Sequence, residues 1–186
     1  TLNKMTVEEI AGKDFSLYQT RESTAIDLQD DYKQMMQAMA LSNDVHRTEK
    51  GFMLGDPTEI GLFEFAHSKG YHKSELEKRY PRVAEIPFDS NRKCMTTLHR
   101  YGTKYIAYTK GAAETLFSRS EGVQDGAGLE PELNRMLLAG LRVLAFASRE
   151  FDSLPVAITP ETIENHLKLA GIAGIIDPPR SEAIQA

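Results

Sequence analysis

The chain is short of several things that would assign it a role at once. It has a single cysteine, Cys94, so no disulfide can close within its 186 residues. That fits a reducing compartment. It lacks a positive excess: 22 Lys and Arg stand against 27 Asp and Glu, a net charge of −5. A general nucleic-acid binder carries a basic patch on a basic domain, so that class is disfavoured. It lacks a long apolar run. The richest stretch, Leu167 to Ile176, is half of the ~20 residues that cross a bilayer. Thr1 to Ile10 has no basic region followed by an apolar segment, so no signal peptide is read there. The histidines His46, His67, His72, His99 and His166 show no paired ligand spacing, and no metal site is read from them. Neither G-x-x-x-x-G-K-[ST] nor G-x-G-x-x-G occurs, and there is no G-x-S-x-G elbow. A nucleotide, if one binds, is held by other means.

What is present is ample for a core, with 41% hydrophobic residues and a length that fits one domain. The first ten residues read as an extended lead-in. Asp27 to Leu41 places Met35, Met36, Met39 and Ala40 at helical spacing, a core-packing pattern. A polar turn spans Ser42 to Gly51, and Pro57 to Lys69 reads as a helix ended by Gly70. Strands are expected at Val83–Phe88, Lys93–Tyr101, Lys104–Lys110, Arg142–Arg149 and Leu169–Ile176. Helices are expected at Ala112–Arg119, Glu130–Ala139 and Pro160–His166, with a mobile glycine-rich loop at Gly122–Gly128. Strands adjacent in sequence with intervening helices predict an α+β domain with a largely antiparallel twisted sheet.

Three local features concern chemistry. In "PFDSNRKCM" the ring of Phe88 precedes a polar stretch ending in Arg92 and Lys93. An exposed ring there offers a stacking surface for a base, worth ~1–3 kcal/mol, and Lys93 a cation for phosphate. The plainer reading, preferred on this stretch alone, has Phe88 plugging the core and Arg92 and Lys93 in solvent. Next, Gly102-Thr103 between two strand patterns predicts a two-residue type II′ hairpin. Its register pairs Tyr101 with Lys104 and Met95 with Lys110, and period-two alternation adds Lys93 to that face. Lysines gathered without an anion repel, so the arrangement hints at an anionic ligand; slipped register or snorkelling lysines are the alternatives. Finally, "GDPTE" opens a helix with Asp56 as N-cap, Pro57 at the first position and Glu59 three after the cap. Glu59 either closes a capping box or accepts a hydrogen bond from an exocyclic amino group, as on adenine.

Together these stretches resemble the nucleotide-binding (N) domain of type II P-type cation-transporting ATPases, the branch that includes the calcium pumps. The resemblance rests, in order, on "TLNKMTV", "GDPTE" (Gly55–Glu59), "FDSNRKCM" (Phe88–Met95), "KGAAE" (Lys110–Glu114), "GLRVLAFASR" (Gly140–Arg149) and "DPPR" (Asp177–Arg180), and so covers essentially the whole chain. It implies an N-domain fold with ATP as substrate and Mg2+ accompanying it in the full-length enzyme. Glu59, Phe88, Lys93, Met95, Lys110, Gly111 and Arg142 would bind ATP. Phe88 would stack on adenine, Glu59 would take its amino group, and Arg142, otherwise a surface arginine, would contact phosphate. Asp177, Pro178, Pro179 and Arg180 would form a hinge, and residues 1–6 and 177–186 would be remnants of the neighbouring domain. Ala113 stands where proline is frequent, and Ser90 where some relatives carry an arginine near the phosphates, which puts that contact in doubt.

The resemblance further implies that the phosphate-accepting aspartate lies upstream of Thr1, so that this chain is not catalytic alone. Its partners would be the phosphorylation and actuator domains of the same pump, on the cytoplasmic side of a membrane that it reaches only through transmembrane helices outside it. Calcium is the expected ion, with sodium or magnesium as alternatives. Two other readings compete. A self-contained phosphohydrolase needs a nucleophile with its base; Cys94 has no visible partner and lies mid-strand. A protein-interaction domain that has lost its nucleotide would not keep Phe88, Lys110 and Glu59.

Overall fold

Alternating apolar residues build the centre of the molecule. In the computed structural model, which describes residues 4–13, 15–18, 30–122 and 128–177, seven strands form one antiparallel sheet. They are β1 Thr6–Gly12, β2 Phe15–Tyr18, β5 Arg82–Asp89, β6 Cys94–Tyr101, β7 Lys104–Gly111, β8 Arg142–Phe151 and β9 Lys168–Ile176, in the order β2-β1-β9-β8-β7-β6-β5. A separate two-stranded ribbon pairs β3 His46–Arg47 with β4 Met53–Leu54, inside and just after the expected polar turn. The helices are α1 Asp30–Leu41, α2 Pro57–Ser68, α3 Lys73–Arg79, α4 Ala113–Arg119, α5 Glu130–Leu138 and α6 Pro160–Ile163. The α+β architecture expected from the sequence is the one observed.

The sheet is apolar on both faces. On one, Met35, Met36 and Met39 of α1 and Leu62 and Phe65 of α2 pack with Ile106, Tyr108 and Phe146. On the other, Leu116 of α4 and Met136 of α5 pack with Ile172 and with Ala145 and Ala147, whose small side chains let the helices close in. A smaller cluster of Ile86, Leu98, Ala107 and Ile163 continues that face toward α6.

The hairpin register is as expected: Tyr101 pairs with Lys104, and Met95 with Lys110. Gly102 has φ of 59° while Thr103 is not among the positive-φ residues, the signature of a type II′ turn. Elsewhere the structure corrects the sequence reading. The lead-in segment contains β1, an interior strand between β2 and β9 with Val7, Ile10 and Ala11 buried. Lys93 is not on β6: its φ of 56° ends a turn, and the strand begins at Cys94. The last short helix stops at Ile163, and His166 has φ of 49°. Helix α3 was not foreseen, because Leu76 is its one buried side chain and leaves no apolar stripe to read. Residues 27–29, most of the Gly122–Gly128 loop and Pro178 to Arg180 of the expected hinge lie outside the described residues.

Candidate functional site

A cleft of about 620 Å3 opens on the α1–α2 face of the sheet, lined by residues of α2, of β5 to β8 and of the turns between them. All seven residues singled out in the sequence line it: Glu59, Phe88, Lys93, Met95, Lys110, Gly111 and Arg142. They come from α2, β5, the β5–β6 turn, β6, β7 and β8, and the antiparallel register brings them together. Met95 and Lys110 lie directly opposite each other, and Lys110 in turn pairs with Phe146 of β8. Gly111 is there because nothing larger fits. A Cβ on it would stand 2.3 Å from the Lys93 carbonyl oxygen and 2.5 Å from Cys94 Cβ.

The floor of the cleft is an ion pair. Lys110 Nζ donates to Glu59 Oε1 at 2.7 Å and to the Ser42 carbonyl, and the two side chains are only 8% and 15% exposed. Burial pulls the Lys110 ammonium below the usual lysine value, opposed by Glu59. The capping box does not form. Asp56 Oδ1 alone accepts from the amides of Thr58 (2.9 Å) and Glu59 (3.3 Å). The Glu59 carboxylate turns into the cleft, where its Oε2 accepts from the Asp44 amide at 3.2 Å. The segment after α1 is held from below by two more cations. Lys73 Nζ donates to the carbonyls of Asn43 and Val45, and Arg82 to those of Leu41 and Asn43. The Asp44 amide is thereby fixed against Glu59.

Phe88 is 64% exposed, so it is not a core plug. After it the chain makes a single tight turn: Asp89 Oδ1 accepts from the amides of Asn91 and Arg92, and the Lys93 amide returns to the Asp89 carbonyl. The turn brings the Lys93 ammonium to Glu114 of α4 at 3.3 Å. The expected cluster of unmatched lysines is therefore corrected: Lys110 is matched by Glu59 and Lys93 by Glu114. Arg92 is not in solvent but part of a buried network. Arg142 makes no ion pair among the described residues; its guanidinium donates to Thr58 Oγ1 at 3.3 Å.

Some lining residues gave no signal in the sequence. Asp44 and Glu85 add two carboxylates, and Leu62 and Leu144 add apolar surface. A smaller neighbouring hollow of about 170 Å3 joins Arg142 and Thr58 to Asp177, the one residue of the expected hinge that is described. The cleft thus combines a flat exposed ring, the carboxylate acceptor of Glu59 and the guanidinium of Arg142, which makes no ion pair among the described residues.

One sequence reading outside the cleft needs correction. Cys94 is the first residue of β6, not mid-strand, and it has partners: Glu164 Oε2 at 3.5 Å and Arg119 at 4.0 Å. Burial and the Glu164 charge push its thiol up to about 11, so it is protonated at neutral pH and makes a poor nucleophile. His67 and His72 do meet, Nδ1 to Nδ1 at 2.9 Å. Yet no group of three or more metal-ligating side chains occurs among the described residues.

Comparison with known proteins bears on this arrangement. A family model described as the P-type ATPase cytoplasmic domain N matches residues 31–182. Calcium-transporting ATPase 1 of Lactococcus lactis is 38% identical over 193 positions, covering 97% of this chain and 21% of that protein. Calcium-transporting ATPase 1 of Bacillus cereus is 34% identical over 98% of this chain and 21% of its own length. Cation-transporting ATPase pma1 of a Synechocystis strain is 37% identical over 76% of this chain and 16% of its own length. The chain spans about a fifth of the length of the first two of these relatives.

Proposed function

Because the chain belongs to the family of P-type ATPase cytoplasmic N domains, we propose that its cleft binds ATP and presents the terminal phosphate to an aspartate elsewhere in a full-length cation pump. The observation that carries this reading is the convergence of Glu59, Phe88, Met95, Lys110 and Arg142 from five separate elements on one cleft. The Phe88 ring takes one face of adenine, with Met95 and Leu144 supplying apolar contact around it. Glu59 takes the exocyclic amino group: its two oxygens have one partner each in Lys110 and Asp44, and a carboxylate has about four lone-pair sites. Asp44 and Glu85 also line the cleft, but both are paired with Arg82 Nη1, at 2.9 and 3.0 Å, so Glu59 is the acceptor that favours the amino group of adenine over the carbonyl that guanine presents there.

The triphosphate runs toward Arg142, the unpaired cation of the cleft. Mg2+ arrives with the phosphates as part of the substrate. Phosphoryl transfer depends chiefly on positioning and charge stabilisation, and this chain supplies the positioning. Asp177 to Arg180 serve as the pivot about which it moves against the phosphorylation and actuator domains, on the cytoplasmic side of the membrane. Calcium is the ion proposed for the pump, from the names of its relatives.

One stacked base and a few charge-assisted hydrogen bonds must offset at least ~4 kcal/mol of association cost. Affinity is then about 0.1–1 mM, with little dependence on Mg2+. Titration of the chain with ATP, followed by NMR, is expected to move the resonances of Phe88, Glu59 and Lys110, and GTP to move them less. No perturbation at millimolar ATP would sink the proposal.

A further inference from the structure

The ladder between β5 and β6 breaks at Phe88. Ile86 pairs with Thr96 and Asp89 with Cys94, so Pro87 and Phe88 together face the single residue Met95. A bulge re-aims side chains but leaves the local backbone unpaired, and proline brings no amide of its own. Something other than the sheet must hold the ring in place.

Arg92 fills that role. Its Nη2 donates to the Pro87 carbonyl at 2.7 Å and to the Cys94 carbonyl at 3.0 Å, bridging the bulge from one strand to the other. Its Nε is occupied by Glu164 Oε2 at 2.7 Å. Glu164 lies 72 residues further on, between α6 and β9, and its side chain is fully buried. The same carboxylate accepts from Arg119 Nη1 and Thr96 Oγ1, each at 2.8 Å. It is thus tied to β6 and to the end of α4 before it meets Arg92. A planar guanidinium fixed at one edge has the directions of its other donors fixed as well.

We infer that Glu164 is a positioning residue for the nucleotide cleft: from the opposite side of the sheet it orients Arg92, and Arg92 holds the Phe88 bulge against β6. The inference rests on the reading of the cleft as an adenine site. A carboxylate that only stabilised the fold would leave no specific coupling to the ring.

Two measurements on the chain test it. The first is a double-mutant cycle in ATP affinity. R92K keeps a cation beside Glu164 but loses the planar fork. It is expected to raise the Kd for ATP about fivefold, the low end of what a stacked base contributes, and to change it less than 1.5-fold, roughly within additivity error, when Phe88 is already alanine. An equal loss in both backgrounds, or none in either, overturns the inference. The second needs no ligand. E164Q keeps the shape but not the charge, and is expected to shift the Pro87 carbonyl 13C resonance while leaving that of Leu138, on α5, in place. An unmoved Pro87 resonance in folded E164Q breaks the link, and E164D gives the same reading if E164Q does not fold. If the unmodified chain binds no ATP, the adenine reading falls, while the Pro87 resonance still decides whether Glu164 holds the bulge.

Discussion

Replacing Phe88 with alanine separates a ring kept for a ligand from one kept for the core. The side chain is 64% exposed, so only about a third of its surface is removed from water on folding. Full burial of such a side chain contributes ~1.5–3 kcal/mol, so truncation here costs about 0.5–1 kcal/mol. For a domain of this size that lowers Tm by about 1–4 °C. Base stacking contributes ~1–3 kcal/mol, so the same truncation weakens ATP binding by about five- to a hundredfold. Lys104→Ala is the matched control. Lys104 sits at the far end of the hairpin, paired at 3.5 Å with Asp152, and both are exposed. Calorimetric or NMR titration with ATP, beside a thermal melt of each variant, gives both numbers. A Phe88→Ala chain that melts many degrees lower yet binds ATP normally would refute the reasoning, because the ring would then belong to the fold.

Lys110→Met leaves the Glu59 carboxylate without its cation at the cleft floor and is expected to cost roughly 3 kcal/mol in urea denaturation. The double variant with Glu59→Leu should cost less than the sum of the two single changes. His99 is buried and held near pH 4 by desolvation, with Nδ1–H donating to the Tyr80 carbonyl and Nε2 accepting from Thr97. The unfolded chain takes up that proton from about pH 6.5 downward and the folded chain does not. Stability is therefore intact above pH 6.5 and falls by up to roughly 3 kcal/mol as pH drops toward 4; urea profiles of His99→Gln should lack that slope. Incubation of the chain with γ-labelled ATP should leave no stable label on it; incorporated phosphate would place an acceptor within these residues.

Local geometry was legible where one residue type dictates it. The Gly102-Thr103 turn set the hairpin register, and with it the meeting of Met95 and Lys110. Asp56 and Pro57 announced the start of α2. What escaped were contacts between residues far apart in the chain. Glu59 and Lys110 are 51 residues apart, and no period connects them, so a neutralised pair looked like a surplus of cations. Glu164 was invisible for the same reason. On its own stretch Phe88 was read more plainly as a core plug, because the register shift between Ile86 and Asp89 leaves no mark in the sequence; only the resemblance assigned the ring to a nucleotide. Lys93 was assigned to a strand because nothing in its side chain signals a positive φ. Arg142 was marked only by resemblance, since an arginine at a strand start is otherwise unremarkable.

Strands β1 and β9 are neighbours, with Thr6 opposite Ile176 at the end of their ladder. The chain therefore arrives at Met5 and departs at Asp177 about 5 Å apart, the spacing of paired strands. Adjacent ends mean that the 170 or so residues between them close a loop no wider than a turn, the arrangement in which one polypeptide can be housed inside another without disturbing it.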